Sequence, residues 1–186
     1  MITSREGGDC GDCGVHDGLK VSAPAHTGVM TVEIERKFVL SDIPGTEVLG
    51  TGEVLRQGYV AEEGDVTVRI RITDRAATLT VKGGSGLSRT EVEAPISIEE
   101  AEALWPHTTG RRINKTRHRV HLAEVADVVA DVDVYAGELS GLCTAEVEFD
   151  SEADAAAFVP PGWFGREVTG EPGWSNAALA RHGLPR

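Results

Sequence analysis

From Thr31 onward apolar and polar residues alternate with a period of two, the pattern of strands with one apolar and one polar face. Eight stretches carry it, at 31–39, 54–61, 66–73, 77–83, 87–94, 113–121, 128–136 and 143–150. They follow one another almost directly, so βαβ crossovers are not suggested and most pairings should be antiparallel. Three helix starts interrupt the strands. Ser97-Ile98-Glu99-Glu100 has the form of a capping box before the Ala- and Glu-rich run to Trp105. Ser151 precedes Glu152-Ala153-Asp154-Ala155, and Ser175 precedes Asn176-Ala177-Ala178-Leu179. The pattern predicts an α+β, mainly β fold: an eight-stranded antiparallel β-barrel with a few flanking helices. Closure would leave no long exposed edge.

Residues 1–29 lack this periodicity and are rich in Gly, Asp and small residues, so they are expected to be a disordered extension to a domain at 30–186. Within the extension, Cys10, Cys13, His16 and His26 could supply zinc ligands, but a single CxxC in Gly-rich sequence is weak support. With 186 residues, 40% of them apolar, the chain suits one hydrophobic core. Acidic residues outnumber basic ones 30 to 18, and a net charge of −12 argues against nucleic acid or an anionic membrane as the partner. No signal-like run or spanning segment is evident, which points to the cytoplasm.

The polar faces change the picture, because their charges are sorted strand by strand. Glu33, Glu35 and Lys37 project together, opposite Val32, Ile34 and Phe38. Arg69 and Arg71 share a face, as do Thr78, Thr80 and Lys82, then Glu91 with Glu93, Lys115 with Arg117 and Arg119, Asp131 with Asp133, and Glu146 with Glu148. Like charges two residues apart on a strand stand about 6.6 Å from one another and repel, strongly where water is excluded. Strands that merely show water a polar face usually mix Lys, Glu, Thr and Gln. Sorted doublets lining a barrel make sense if acidic pairs hold a divalent cation and cationic rows hold phosphate oxygens.

These residues resemble the CYTH superfamily, also called triphosphate tunnel metalloenzymes. Glu33-Ile34-Glu35-Arg36-Lys37 matches its ExExK signature. In order follow Arg69-Ile70-Arg71, Thr80-Val81-Lys82-Gly83, Arg89-Thr90-Glu91-Val92-Glu93, Lys115-Thr116-Arg117, Asp131-Val132-Asp133-Val134-Tyr135, Ala145-Glu146-Val147-Glu148 and Gly165-Arg166-Glu167-Val168-Thr169-Gly170. The resemblance covers roughly residues 31 to 183. It implies a charged tunnel that binds the triphosphate of a small-molecule substrate together with Mg²⁺ or Mn²⁺, and a C-terminal helix that plugs one mouth. Asp131 departs from the glutamate found in many relatives, as His118 or Trp174 does from a tyrosine.

On this resemblance Glu33, Glu35, Asp133, Glu146 and Glu148 are the expected metal-holding carboxylates, with oxygen donors that suit a hard cation. Lys37, Arg69, Arg71, Lys82, Lys115 and Arg117 are the expected phosphate grip. Only four lysines occur in the chain, and three fall in this set. In-line attack by water on metal-bound triphosphate needs no nucleophilic side chain. Glu91 or Glu93 is a candidate to orient that water, or else only positions arginines. Lys115 or Arg117 is a candidate to stabilise the leaving group. Arg89 and Arg119 share the inward faces but fit the surface near strand ends equally well, and Trp163, Phe164 and Trp174 read as packing residues. The function expected is hydrolysis of inorganic triphosphate to pyrophosphate and phosphate. A class IV-type adenylate cyclase or a thiamine or nucleoside triphosphatase is the enzymatic alternative, and a non-catalytic polyphosphate-binding module the non-enzymatic one. The oligomeric state stays open between monomer and homodimer.

Overall fold

The structure, a computed structural model, describes residues 29–84, 87–122 and 128–185. The zinc reading of Cys10, Cys13, His16 and His26 lies outside them. Eight strands form the wall: β1 (Val29–Val39), β2 (Gly52–Glu63), β3 (Val66–Ile72), β4 (Ala77–Gly83), β5 (Ser88–Ile96), β6 (Arg112–His121), β7 (Val129–Ala136) and β8 (Cys143–Glu148). They pair in the order β5-β4-β3-β2-β6-β7-β8-β1, and a further β5–β1 pairing closes the ring. Every pairing is antiparallel. β1 makes the closure by dividing its length: Val29–Ile34 pair with β5, and Glu35–Val39 with β8. A two-residue strand, β9 (Arg166–Glu167), adds to Phe38 and Val39.

The barrel is inverted relative to an ordinary globular core, with charge inside and apolar side chains outside. Phe38, Ala130, Val132, Ala145 and Val147, on the outward faces of β1, β7 and β8, are buried against Leu49 and Phe158, with Trp163 and Phe164 packed alongside. Leu49 belongs to α1 (Thr46–Leu49), and Phe158 follows α3 (Glu152–Ala157). Phe38 and Phe164 have ring centroids 4.9 Å apart. On the other side α2 (Ile98–Leu104) presses Ala101 onto Ile72 and Ala77. Its capping box is present: Glu100 N–H donates to Ser97 Oγ at 3.1 Å, and Ser97 N–H donates to Glu100 Oε2 at 2.7 Å.

Two contacts tie the outer layer to the wall. Arg36 points outward, donates to both Glu167 oxygens at 2.9 and 2.7 Å, and reaches the carbonyls of Ala155 and Phe158. Gly165 lies so close to β1 that a Cβ there would overlap the Val39 carbonyl oxygen, a backbone atom with no rotamer to escape into. Gly165→Ala should therefore cost about 3 kcal/mol, at the upper end of ordinary single substitutions. Urea denaturation checks this, and a shift below about 1 kcal/mol would show the approach to be loose.

α4 (Asn176–His182) closes one mouth, as the resemblance implied for this helix. Its Leu179 is buried against Ile113 and Tyr135, which share the inward face with Lys115 and Asp133. Tyr135 Oη donates to Asn176 Oδ1 at 2.7 Å, and Arg181 pairs with Glu62 at 3.0 Å. Among the described residues no helix is long and apolar enough to cross a membrane.

Candidate active site

The strand alternation turns the sorted charges into one chamber of about 1890 Å³. Its wall holds Glu33, Glu35 and Lys37 from β1, Arg69 and Arg71 from β3, Lys82 from β4, Glu91 and Glu93 from β5, Arg117 from β6, and Glu146 and Glu148 from β8. The structure thus brings together nearly the whole set expected from sequence. Register explains the sorting, since β4 and β5 place Lys82 opposite Glu91 and Thr80 opposite Glu93, and β1 and β8 place Glu35 opposite Glu148 and Lys37 opposite Glu146.

Two ion-pair neighbourhoods divide the chamber. In the first, Lys82 Nζ lies 2.6 Å from Glu33 and 2.7 Å from Glu91. Arg89 bridges Glu33 at 3.4 Å and Glu35. Arg71 and Thr80 both donate to Glu93 Oε1, at 2.8 and 3.0 Å. In the second, Arg117 joins three carboxylates: Asp133 at 2.7 and 2.8 Å, Asp131 at 2.7 Å and Glu146 at 2.8 Å. Lys37 reaches Glu146 from the other side at 3.0 Å.

Two expected residues lie behind the wall. Asp133 is 0% exposed. One of its oxygens receives Lys115 Nζ at 2.5 Å and Arg117 at 2.7 Å, and the other receives Arg117 Nε at 2.8 Å. Lys115 is equally enclosed, with Tyr135 beneath its ammonium, 5.7 Å from the ring centroid. Burial lowers the Lys115 pKa to about 8 despite the opposing pull of Asp133.

Arg89, Gln57 and Tyr59 are among the lumen residues that fall outside the set read from sequence. Arg89 shares the alternating face of Glu91 and Glu93, so its parity was visible and its company was not. Gln57 and Tyr59 stand at alternate positions of β2 on a strand without charge doublets. Arg119 is at the mouth, its side chain 77% exposed and 3.6 Å from Asp131. Trp163 and Phe164 pack in the outer core, and Trp174 packs beside the Leu179 cluster.

The carboxylates of β1 and β8 repel one another. Burial raises the Glu35 pKa, and Glu146 and Glu33 push it further. Glu148 is raised by burial, then by Glu33, Asp131 and Glu35. Burial alone would also raise Glu146, but Lys37, Lys115 and Arg117 hold it well below the ordinary carboxylate range. Among the described residues no three carboxylate, imidazole or thiolate groups are gathered around one point, because lysines and arginines stand between them. Arg69 Nε and Arg89 Nε are buried without an acceptor. Repelling carboxylates and orphaned donors, side by side, ask for a cation and an anionic oxygen respectively.

The CYTH domain model matches residues 31–160. The chain belongs to the CYTH family. It is 44% identical over 149 residues to a protein of Nitrosomonas europaea named inorganic triphosphatase, covering 80% of this chain and 96% of that one. A protein of Acetivibrio thermocellus with the same name is 37% identical over 155 residues, covering 82% of this chain and 96% of its own length. The crystal structure of an inorganic triphosphatase is similar at a TM-score of 0.62 and 38% identity, covering 83% of this chain and 98% of that one. These matches extend well beyond the ExExK motif, across the strands that build the chamber.

Proposed function

We propose that this CYTH chain hydrolyses inorganic triphosphate to pyrophosphate and phosphate with Mg²⁺ or Mn²⁺, and does so in the cytoplasm. The observation that carries the reading is a closed barrel whose lumen segregates repelling carboxylates from a dense cationic grip, in a chain 44% identical to a protein named inorganic triphosphatase. The β1 and β8 carboxylates fit a hard divalent cation by donor type and by mutual repulsion. Glu33, Glu35, Glu146 and Glu148 would hold it, and it would supply neutralisation of phosphate charge during in-line attack.

Lys37, Arg69, Arg71, Lys82 and Arg117 grip phosphate oxygens, and Arg89 joins them. Glu91 and Glu93 aim Lys82 and Arg71 through their ion pairs. Asp133, with its oxygens taken by Lys115 and Arg117, serves as their fixed counter-ion rather than as a metal ligand. Arg117 faces the lumen and stabilises charge on the leaving group. Lys115, enclosed behind the wall and 2.5 Å from Asp133, holds that counter-ion in place for Arg117.

Substrate choice is tested by comparing phosphate release from tripolyphosphate, ATP and thiamine triphosphate, with cyclic AMP measured in parallel. Fastest release from tripolyphosphate is expected, whereas cyclic AMP as the main product of ATP would make the chain a cyclase.

A further inference from the structure

Gln57 is 2% exposed, yet it lies on the wall of the chamber. Its Nε2 is buried and has no hydrogen-bond partner. A buried amide donor left unpaired costs desolvation free energy with no return, so such groups call for an explanation. Its surroundings supply one. Gln57 stands opposite Arg71 on β3 and opposite Ile113 on β6. One step along β2 in either inward direction, Tyr59 faces Arg69 and Leu55 faces Lys115. The amide thus sits between two arginines of the phosphate grip and the buried lysine.

A residue that merely filled this space would be apolar, as Leu55 and Ile113 are on the same inward face. A residue placed to neutralise the arginines would be a carboxylate, as Glu91 and Glu93 are across the chamber. Glutamine does neither. It offers N–H donors without adding charge, in a place where Arg69 Nε is also buried without an acceptor. Neighbouring donors facing one cavity without acceptors are complementary to an oxygen-rich anion.

We propose that Gln57 is a substrate-binding residue that donates its Nε2–H to an oxygen of the triphosphate chain, an uncharged side-chain donor among the lysines and arginines of the grip. This rests on the triphosphatase reading above. An uncharged donor binds bound substrate and transition state alike, so its loss should appear in KM more than in kcat.

The test uses Gln57→Met, which keeps length and volume while removing the donor, and Gln57→Glu, which keeps the shape but turns a carboxylate toward the phosphates. For Gln57→Met the KM for tripolyphosphate should rise about tenfold to a hundredfold, the ratio corresponding to one hydrogen bond to a charged group. The urea midpoint of the free protein should stay level or rise, because the orphaned donor is gone. Gln57→Glu should raise KM further still, and it decides the matter should Gln57→Met not fold. The opposite movement of stability and affinity is what a packing role could not produce. Unchanged KM in both variants, or a KM that rises only together with a fallen urea midpoint, overturns the assignment and leaves the triphosphatase reading standing. A wild-type protein that releases no phosphate from tripolyphosphate overturns both.

Discussion

Asp133→Asn should destabilise the protein by about 3–5 kcal/mol, the range for removing one partner from a buried ion pair. The charge is lost where Lys115 Nζ, 2.5 Å away, has no water to turn to and where Arg117 loses two of its four carboxylate contacts. The pH dependence carries the same signature. The Asp133 pKa is lowered, burial notwithstanding, by Lys115 and Arg117. A carboxylate with a lowered folded pKa contributes stability above its unfolded value, about 3.9, and that stability is lost as pH falls through the folded value. Lys115 has the opposite sign. Its folded pKa of about 8 lies below that of an unfolded lysine, so it weighs against the fold below about 8 and ceases to do so as pH rises. In Asp133→Asn the acid-side contribution should vanish and the alkaline-side recovery should grow. Combining Asp133→Leu with Lys115→Met removes both charges and should return most of the stability, without restoring turnover. Urea curves across pH measure all of this, and an Asp133→Asn variant within about 1 kcal/mol of wild type would mean that the pair is far better hydrated than its burial indicates.

Glu146→Gln should lower kcat by about 10²–10³-fold, the loss typical of one preorganised charge-stabilising group. Glu146 receives Lys37 at 3.0 Å and Arg117 at 2.8 Å, and its charge acts on the other neighbourhood by adding to the repulsion that raises Glu35. An amide retains shape and one acceptor oxygen but removes the negative charge that makes the group a donor to a hard cation. The metal concentration for half-maximal activity should therefore rise about 10–100-fold. Glu148→Gln should shift the metal requirement in the same direction, since Glu148 is raised by burial and by its acidic neighbours, a strain that a bound cation relieves. Unchanged kcat together with an unchanged metal requirement in Glu146→Gln would exclude this carboxylate from the site.

The strands were legible because a half-buried wall forces a period of two. The stretch at 77–83 is β4 to the residue, and 143–150 overruns β8 by two. β2 extends from the expected 54–61 to Gly52–Glu63 because a bulge between Tyr59 and Ala61 resets the alternation. α1 and β9, of four and two residues, are too short to show any period. The chamber was legible as sorted doublets, and so was its family. What alternation cannot give is depth: it places Lys115 and Asp133 on the same face as Arg117 and Asp131, whereas the first pair is buried and the second lies at the lumen. Nor can it say which end of a strand has neighbours, which is why Arg89 fitted lumen and surface equally well in the sequence although it bridges Glu33 and Glu35. Gln57, uncharged and flanked by Leu55 and Tyr59, carries no sequence signal beyond its parity.

The central claim is tested most directly by following tripolyphosphate with phosphorus NMR in the presence of the purified protein, first with Mg²⁺ or Mn²⁺ and then with excess chelator. The account predicts conversion to one pyrophosphate and one phosphate per molecule with the metal, and no conversion with the chelator. Tripolyphosphate left intact in the presence of either metal, or cleaved equally well in chelator, would contradict it.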